Sequence, residues 1–333
     1  MSLVACTAVV VACSNKTVTK MTAFSGQAVS ASPAGVQRVS NDGGWRHPGG
    51  EFIEGTCTNC HDKLERSMCP ADMVEIDGTY CPNDQEVCLR WVDAQGNTVD
   101  PPKSLEKYPT GRCGEFQYPT KCLTPEAKRP HKHYCVDKYE YPNVEGQRPQ
   151  SWMTWYDVKH ACEAQGKRLC TKEEWTFACE GPDMQPYPYA GHGEHPGYSR
   201  DESACNIDNP FPEDPEKPIN PQTGKRYEIS VFDSKRPHDR VTTILDNLLT
   251  PAGSKPECAS PWGVYDMVGN IDEFINNTAI PEHSPRAPFR SGLMSGHVFG
   301  VRNQCRAMTD GHYEYFGWYE TGGRCCGDPQ ENK

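Results

Sequence analysis

Eighteen cysteines in 333 residues, spread from Cys6 to Cys326, constrain this chain more than any other feature. Dispersed cysteines in a long chain point to disulfides, and disulfides persist only in oxidising surroundings. A structural zinc site would instead call for two closely spaced pairs, and only Cys57-Thr58-Asn59-Cys60 has that spacing. Setting Cys6 and Cys13 aside as part of a leading segment leaves 18 − 2 = 16 cysteines, enough for eight bridges. Twenty-nine glycines and 29 prolines rule out a helical bundle and predict a loop-rich body stapled by sulfur. The net charge of −11, with no basic stripe, argues against a nucleic-acid partner. No apolar run is long enough to span a bilayer.

The first residues support export. A short apolar stretch from Leu3 to Val11 runs into Val10-Val11-Ala12-Cys13. This resembles a bacterial lipoprotein signal, in which the cysteine becomes the lipid-bearing N-terminus, although no Lys or Arg precedes it. The expected organisation is a signal segment over 1–13, a flexible tether over 14–56, a Cys-rich lead-in over 57–72 and a folded domain over 73–327. The tether is rich in Ser, Thr, Val, Gly and Asn with no sustained period. Such a protein belongs in the bacterial periplasm or on the cell surface. Its only membrane contact is a lipid on Cys13.

Two helices can be placed from local rules. Thr154 with Asp157 three residues on forms one capping box, and Gly166 stops the helix. Thr171 with Glu174 forms the second, and Gly181 ends it. Trp155, Val158 and Cys162 share a face of the first; Trp175, Ala178 and Cys179 share a face of the second. Each cysteine therefore lies on an inward stripe.

This helix pair, Trp155 to Cys179, resembles that of the formylglycine-generating enzymes, the sulfatase-modifying factor family. Gly263-Val264-Tyr265-Asp266-Met267-Val268-Gly269-Asn270-Ile271-Asp272-Glu273-Phe274 is similar to that family's Gly-Asn signature. Met73–Tyr80 and His133–Glu140 resemble its opening strands. Arg290-Ser291-Gly292-Leu293 and Gly322-Gly323-Arg324-Cys325 resemble its closing turns. The resemblance implies an α+β fold, a variant of the C-type lectin fold with twisted strands, two main helices and much irregular loop. It also implies disulfides Cys162–Cys325 and Cys179–Cys305, each closing more than 100 residues, a constraint worth ~4 kcal/mol in the chain-entropy model.

The resemblance further implies calcium. Its first site would take Asp266, the main-chain oxygens of Gly269 and Ile271, and Glu273, an oxygen set suited to a hard cation. Its second would use Asn206 and Ile207. What the resemblance does not supply is the family's chemistry. The oxidase holds Cu(I) with two cysteines in the late strand, because soft thiolates suit that ion. Here the matching positions are Ser295 and Gly300, or Gly296 and Val301 with a shift of one residue. Copper is not expected. Met294, His297 and Met308 are soft or borderline donors in the same region; the plainer reading packs both methionines in the core. Arg302, Arg306 and Arg324 could bind a carboxylate or sulfate in the old cleft, or pair with acidic neighbours. His131 and His133 are read as exposed.

Cys57-Thr58-Asn59-Cys60-His61 also fits the c-type haem attachment pattern, with Met68 or Met73 as a distal ligand; disulfides from Cys57 and Cys60 are the alternative. The expectation drawn from all of this is an exported, lipid-anchored accessory or binding protein. It is a degenerate family member that holds an unknown peptide, glycan or protein in a cleft near His297 and Arg302. A divergent maturation oxidase and a haem-tethered redox protein are the alternatives.

Overall fold

The computed structural model describes residues 67–93, 96–101, 112–189, 195–207, 209–233, 235–277, 291–294, 304–309 and 312–330, with the backbone of four short strands between residues 11 and 58. The chain divides into two units, Met1–Ser67 and Met68–Lys333. In the first, Val11–Ser14 pairs antiparallel with Thr17–Lys20, and Glu51–Ile53 with Thr56–Thr58. The sequence reading placed no strands in this stretch. Val and Thr in these short runs suit extended backbone even without a long alternating pattern.

The second unit starts with β1 (Met73–Thr79), which buries Met73 and Ile76. The chain then leaves this sheet for residues 80–130. That excursion carries β2 (Asp84–Gln85), β3 (Cys88–Val92), β4 (Thr98–Val99), β5 (Arg112–Phe116) and β6 (Lys121–Cys122). Strands β4, β3 and β5 form a sheet in that order, and β2 pairs with β6. Cys81–Cys122 closes the neck of the excursion, and Cys88–Cys113 staples β3 to β5. The chain returns as β7 (His131–Asp137), which pairs with β1 in unbroken register from Met73↔Asp137 to Thr79↔His131. A long detour between two fully paired strands is tolerable because loop-closure entropy grows slowly with length and the disulfide removes part of it.

Next come α1 (Trp155–Glu163), β8 (Arg168–Leu169), α2 (Lys172–Glu180) and α3 (Arg240–Asp246). Both capping boxes are present: Thr154 and Thr171 accept from the backbone N–H of Asp157 and Glu174, whose carboxylates return the bond. At Gly181, φ is +70° and an added Cβ would lie 2.6 Å from the Pro261 ring, so only glycine ends α2 this way. The short α3, capped by Asp239, has no strong signal in the sequence.

The chain closes with β9 (Asp272–Asn276), β10 (Ser291–Met294), β11 (Met308–Thr309), β12 (Thr321–Gly322) and β13 (Cys325–Gly327). One sheet has the order β8-β13-β7-β1 and a second β11-β10-β9-β12. Two apolar clusters lie against them. The larger holds Trp175, Phe177, Ala178 and Cys179 of α2 with Ile76, Tyr134, Met267 and Ile275. The smaller holds Val158 and Cys162 of α1 with Leu169, Phe274 and Cys325. Truncating a fully buried ring such as Trp175 is expected to cost about 3–5 kcal/mol. Among the described residues seven disulfides join Cys69–Cys135, Cys81–Cys122, Cys88–Cys113, Cys162–Cys325, Cys170–Cys326, Cys179–Cys305 and Cys205–Cys258.

Candidate functional site

The late strand frames the place where the family's thiols would sit. Met294 is fully buried in the larger cluster and stands opposite Met308, which packs against the same cluster. Both methionines serve as core filler. Ser295, Gly296, His297, Gly300, Val301 and Arg302 lie outside the described residues. On the far side of that gap Cys305 is bonded to Cys179 of α2.

Next to this bridge is a dense polar group that sequence reasoning did not assemble. Arg306 donates from Nε and Nη2 to the two carboxylate oxygens of Glu180, each at 2.7 Å. The same guanidinium reaches the Cys81 carbonyl at 2.8 Å and the Asp84 carboxylate at 3.1 Å, and lies over the Tyr80 ring. Arg306 thus pins the neck of the excursion to the end of α2. Glu86 completes the group. Burial, with the neighbouring Asp84 charge second, pushes its carboxyl up to about 7. Asp84 Oδ2 and Glu86 Oε1 are both buried without a hydrogen-bond partner.

A second polar group lies at the Gly-Asn signature. Arg324 is fully buried and donates from Nε and Nη2 to both oxygens of Glu273 at 2.6 Å. Trp175 Nε1 adds a third donor to Glu273 at 2.7 Å. Arg324 also binds the carbonyls of Tyr265 and Asp266, at 2.9 and 3.3 Å. Of the two readings that the sequence left open for Arg324 and Arg306, pairing with an acidic neighbour is the one that the contacts match. Glu140 faces the same buried group, accepts from Asn270 Nδ2 at 2.7 Å and leaves Oε1 without a partner. Burial and the charges of Asp266 and Glu273 hold its carboxyl well above the ordinary range. Asp266 is pushed up to about 6, mainly by burial.

The residues expected at two calcium sites meet in one place. Asn206 donates to the Asn270 side chain at 2.9 Å and to the Leu248 carbonyl at 2.9 Å, and accepts from Asn209. Its own carbonyl receives the Asn270 N–H at 2.9 Å. Ile207 packs on Gly269: a Cβ there would lie 2.4 Å from Ile207 Cγ2 and from the Asn206 carbonyl. Gly269, at φ +82°, Asn270 at +62° and Asp266 at +56° make a tight left-handed turn. Glu273 and Asn206 do not fit a calcium shell as they stand, because their oxygens are spent on Arg324, Trp175, Asn209 and Asn270. Among the described residues no three His, Cys, Asp or Glu side chains are grouped to hold a metal ion.

The remaining sequence candidates are scattered. His131 is exposed and 2.8 Å from Asp77; His133 is half-buried, not exposed, because its ring turns to Glu75 at 2.8 Å. Cys13, Cys57, Cys60 and His61 have no side chain among the described residues, and Met73 lies in the core. Glu140, Glu180 and Glu86 were missed. The sequence signal was at Glu180, which follows Cys179 as Arg306 follows Cys305, the pair of cysteines that the resemblance already implied.

Residues 36–314 match the family profile described as the sulfatase-modifying factor enzyme 1-like domain. The match begins within the stretch read as tether and ends before β12. Among solved structures the chain is similar to PvdO from Pseudomonas aeruginosa, at 12% identity and TM-score 0.38, over 78% of this chain and 95% of that one. It is similar to CarF at 13% identity and TM-score 0.37, over 78% and 98%. It also resembles the I1 variant of Major Tropism Determinant at 10% identity and TM-score 0.31, over 78% and 73%. No curated protein matches the chain. The profile covers well over half of the sequence, and the chain belongs to the sulfatase-modifying factor enzyme 1-like family.

Proposed function

We propose that this protein is an exported, lipid-anchored accessory protein whose sulfatase-modifying-factor-like domain binds a partner molecule and does not oxidise cysteine. The observation that carries the reading is the state of its sulfur. Fourteen cysteines of the second unit are consumed in seven disulfides, and the remaining four, Cys6, Cys13, Cys57 and Cys60, precede it in sequence. The positions that match the family's copper thiolates are Ser295 and Gly300, and Cys305 nearby is locked to Cys179. Cu(I) chemistry needs a pair of thiolates, and the domain has none to spare.

Disulfides in this number support an oxidising compartment. Among the described residues no helix is long and apolar enough to cross a membrane, so attachment would rest on the acyl chains at Cys13. The ligand sought is a peptide, glycan or protein held near His297 and Arg302.

The decisive experiment incubates the full chain with a Cys-x-Pro-x-Arg peptide, Cu(I) and oxygen, followed by mass spectrometry. An unchanged peptide is expected. Conversion of its cysteine to formylglycine would overturn the reading and make this a divergent oxidase. Lipid attachment is checked separately: protein expressed in bacteria should fractionate with membranes and lose that behaviour in Cys13→Ala. Unaltered fractionation would remove the anchor from the proposal.

A further inference from the structure

A cleft of about 350 Å³ opens on the sheet of the excursion and shares no residue with either polar group described above. It is lined by Arg90 and Val92 of β3, Gly114 of β5 and residues 200–203. Strand β5 is its floor. On one side β5 pairs with β3, and on the other it is bonded to residues 198–200. There Phe116 N–H donates to the Tyr198 carbonyl at 2.8 Å and Arg200 N–H to the Gly114 carbonyl at 3.1 Å. Glu115 stands between Arg90 on one neighbour and Ser199 on the other. The two walls are therefore two strand spacings apart, about 10 Å.

The floor is open because of Gly114. Arg90 pairs with Glu115 and Trp91 with Cys113, so Gly114 is the extra residue of a bulge. A Cβ added there would lie 2.7 Å from Val92 Cγ1 and 3.0 Å from Arg90 Cζ, so the Arg90 guanidinium lies across bare backbone. It is loosely held. Its Nη2 reaches the Gly114 carbonyl at 3.5 Å and its Nε stands 3.8 Å from the Glu115 carboxylate, both too long for a strong bond. The side chain stays 41% exposed. Arg200 is the opposite case: its side chain is 3% exposed, and Nε donates to Glu202 at 3.1 Å. Asp201 accepts from the Ser203 N–H and hydroxyl at 2.8 and 2.6 Å, which fixes this loop. Cys88–Cys113 ties the β3 wall to the floor, and Cys205–Cys258 anchors the chain just past the other wall.

We propose that this cleft binds a free α-amino acid as its zwitterion. Four charged side chains line it, the guanidinia of Arg90 and Arg200 and the carboxylates of Asp201 and Glu202. A simple anion would meet the two carboxylates, and a simple cation the two guanidinia. A zwitterion brings one charge of each sign and matches both. Its carboxylate goes to Arg90, whose present bonds are weak enough to yield and whose donors suit a carboxylate in pairs. Its ammonium goes to the side of Asp201 and Glu202. The volume lies at the small end of the about 300–1,000 Å³ range of ligand sites, which suits a single residue. Walls set by strand pairing and disulfides also avoid the ordering cost that weakens binding by mobile loops. The inference uses other residues than the cleft near His297 and stands whether or not that cleft binds anything.

The test is a calorimetric titration of the full chain with each of the common L-amino acids in turn. Saturable binding is expected for at least one of them. The N-acetyl and carboxamide forms of that amino acid, each lacking one charge, should bind about tenfold more weakly or worse. Arg90→Gln should weaken binding by a similar factor while the melting temperature stays near that of the parent, because its present contacts are long. Glu202→Gln, which still accepts from Arg200, should weaken it as well. Lys225→Gln, an exposed charge outside the cleft, should leave binding intact. Absence of saturable binding to every amino acid overturns the proposal, as does binding that Arg90→Gln does not weaken. Undiminished binding of the N-acetyl form would overturn it in favour of a simple carboxylate site, and undiminished binding of the carboxamide in favour of a simple ammonium site.

Discussion

Glu180 and Arg306 each stand one residue beyond an end of the Cys179–Cys305 disulfide, and their side chains meet in a two-pronged ion pair with both bonds at 2.7 Å. Covalent and ionic links thus run side by side between α2 and the late strand. Glu180 is 1% and Arg306 18% exposed at the side chain, so neither charge has water to fall back on. Removing one partner of such a pair costs more than the pair contributes. Arg306→Met is expected to lose about 3–5 kcal/mol in denaturant unfolding. The double variant with Glu180→Leu should recover part of that loss. A double variant no more stable than Arg306→Met would show that the penalty is not the stranded carboxylate.

Glu86 makes stability depend on pH in a definite direction. Its folded carboxyl titrates at about 7 because it is buried, against about 4.5 when exposed. The folded state therefore holds a proton that the unfolded chain has released between those values. Its contribution is fully present below pH 4.5 and is lost as pH rises through 7. Glu86→Gln should flatten this part of the profile, with the largest gain over the parent, up to about 3 kcal/mol, above pH 7. Parallel profiles for the two proteins would contradict the assignment.

Gly269→Ala should be among the most damaging single-atom changes. The position has φ +82°, and the new methyl would collide with the Asn206 carbonyl at 2.4 Å. Strain and clash together are expected to cost more than about 2 kcal/mol. A shift of the unfolding midpoint smaller than half of that would mean that the turn can reopen.

Calcium can be tested without any ligand in hand. With Glu273 spent on Arg324 and Trp175, melting in excess calcium and in EGTA should agree within about 2 °C. Glu140→Gln, which keeps an acceptor for Asn270, should melt close to the parent in both conditions. A marked calcium-dependent rise that Glu140→Gln abolishes would mean that a metal, and not a proton, satisfies the buried oxygen.

Replacing Cys162 and Cys325 together by serine opens a loop of 163 residues. The chain-entropy model gives a loss of about 4–5 kcal/mol, to be read as a lower denaturation midpoint under non-reducing conditions. A loss below about 1 kcal/mol would mean that the unfolded chain was already confined by the other bridges.

The two helices were legible because each is announced by four local residues: Thr154 with Asp157 and Gly166, Thr171 with Glu174 and Gly181. Chain order of the family blocks carried the fold. The excursion over 80–130 was visible only as crowded cysteines, because β1 and β7 pair across it and sequence distance hides that register. Pairs such as Cys170–Cys326 and Cys205–Cys258 were beyond reach for the same reason: their separations of 156 and 53 residues become contacts only when strands are in place. The polar groups were harder still. Nothing in Glu140 or Arg324 as letters says that one keeps a buried oxygen without a hydrogen-bond partner and that the other is already taken.

Cys325 and Cys326 are neighbours in β13, and a strand turns neighbouring side chains to opposite faces, so this one short segment is riveted to α1 on one side and to the start of α2 on the other. A protease that nicks the chain anywhere between Cys205 and Cys258 therefore produces two pieces still joined by four sulfur bridges, Cys162–Cys325, Cys170–Cys326, Cys179–Cys305 and Cys205–Cys258. Such a clipped molecule would run as a single species on a gel until a reductant is added, whereas the same cut would dismember an unbridged protein.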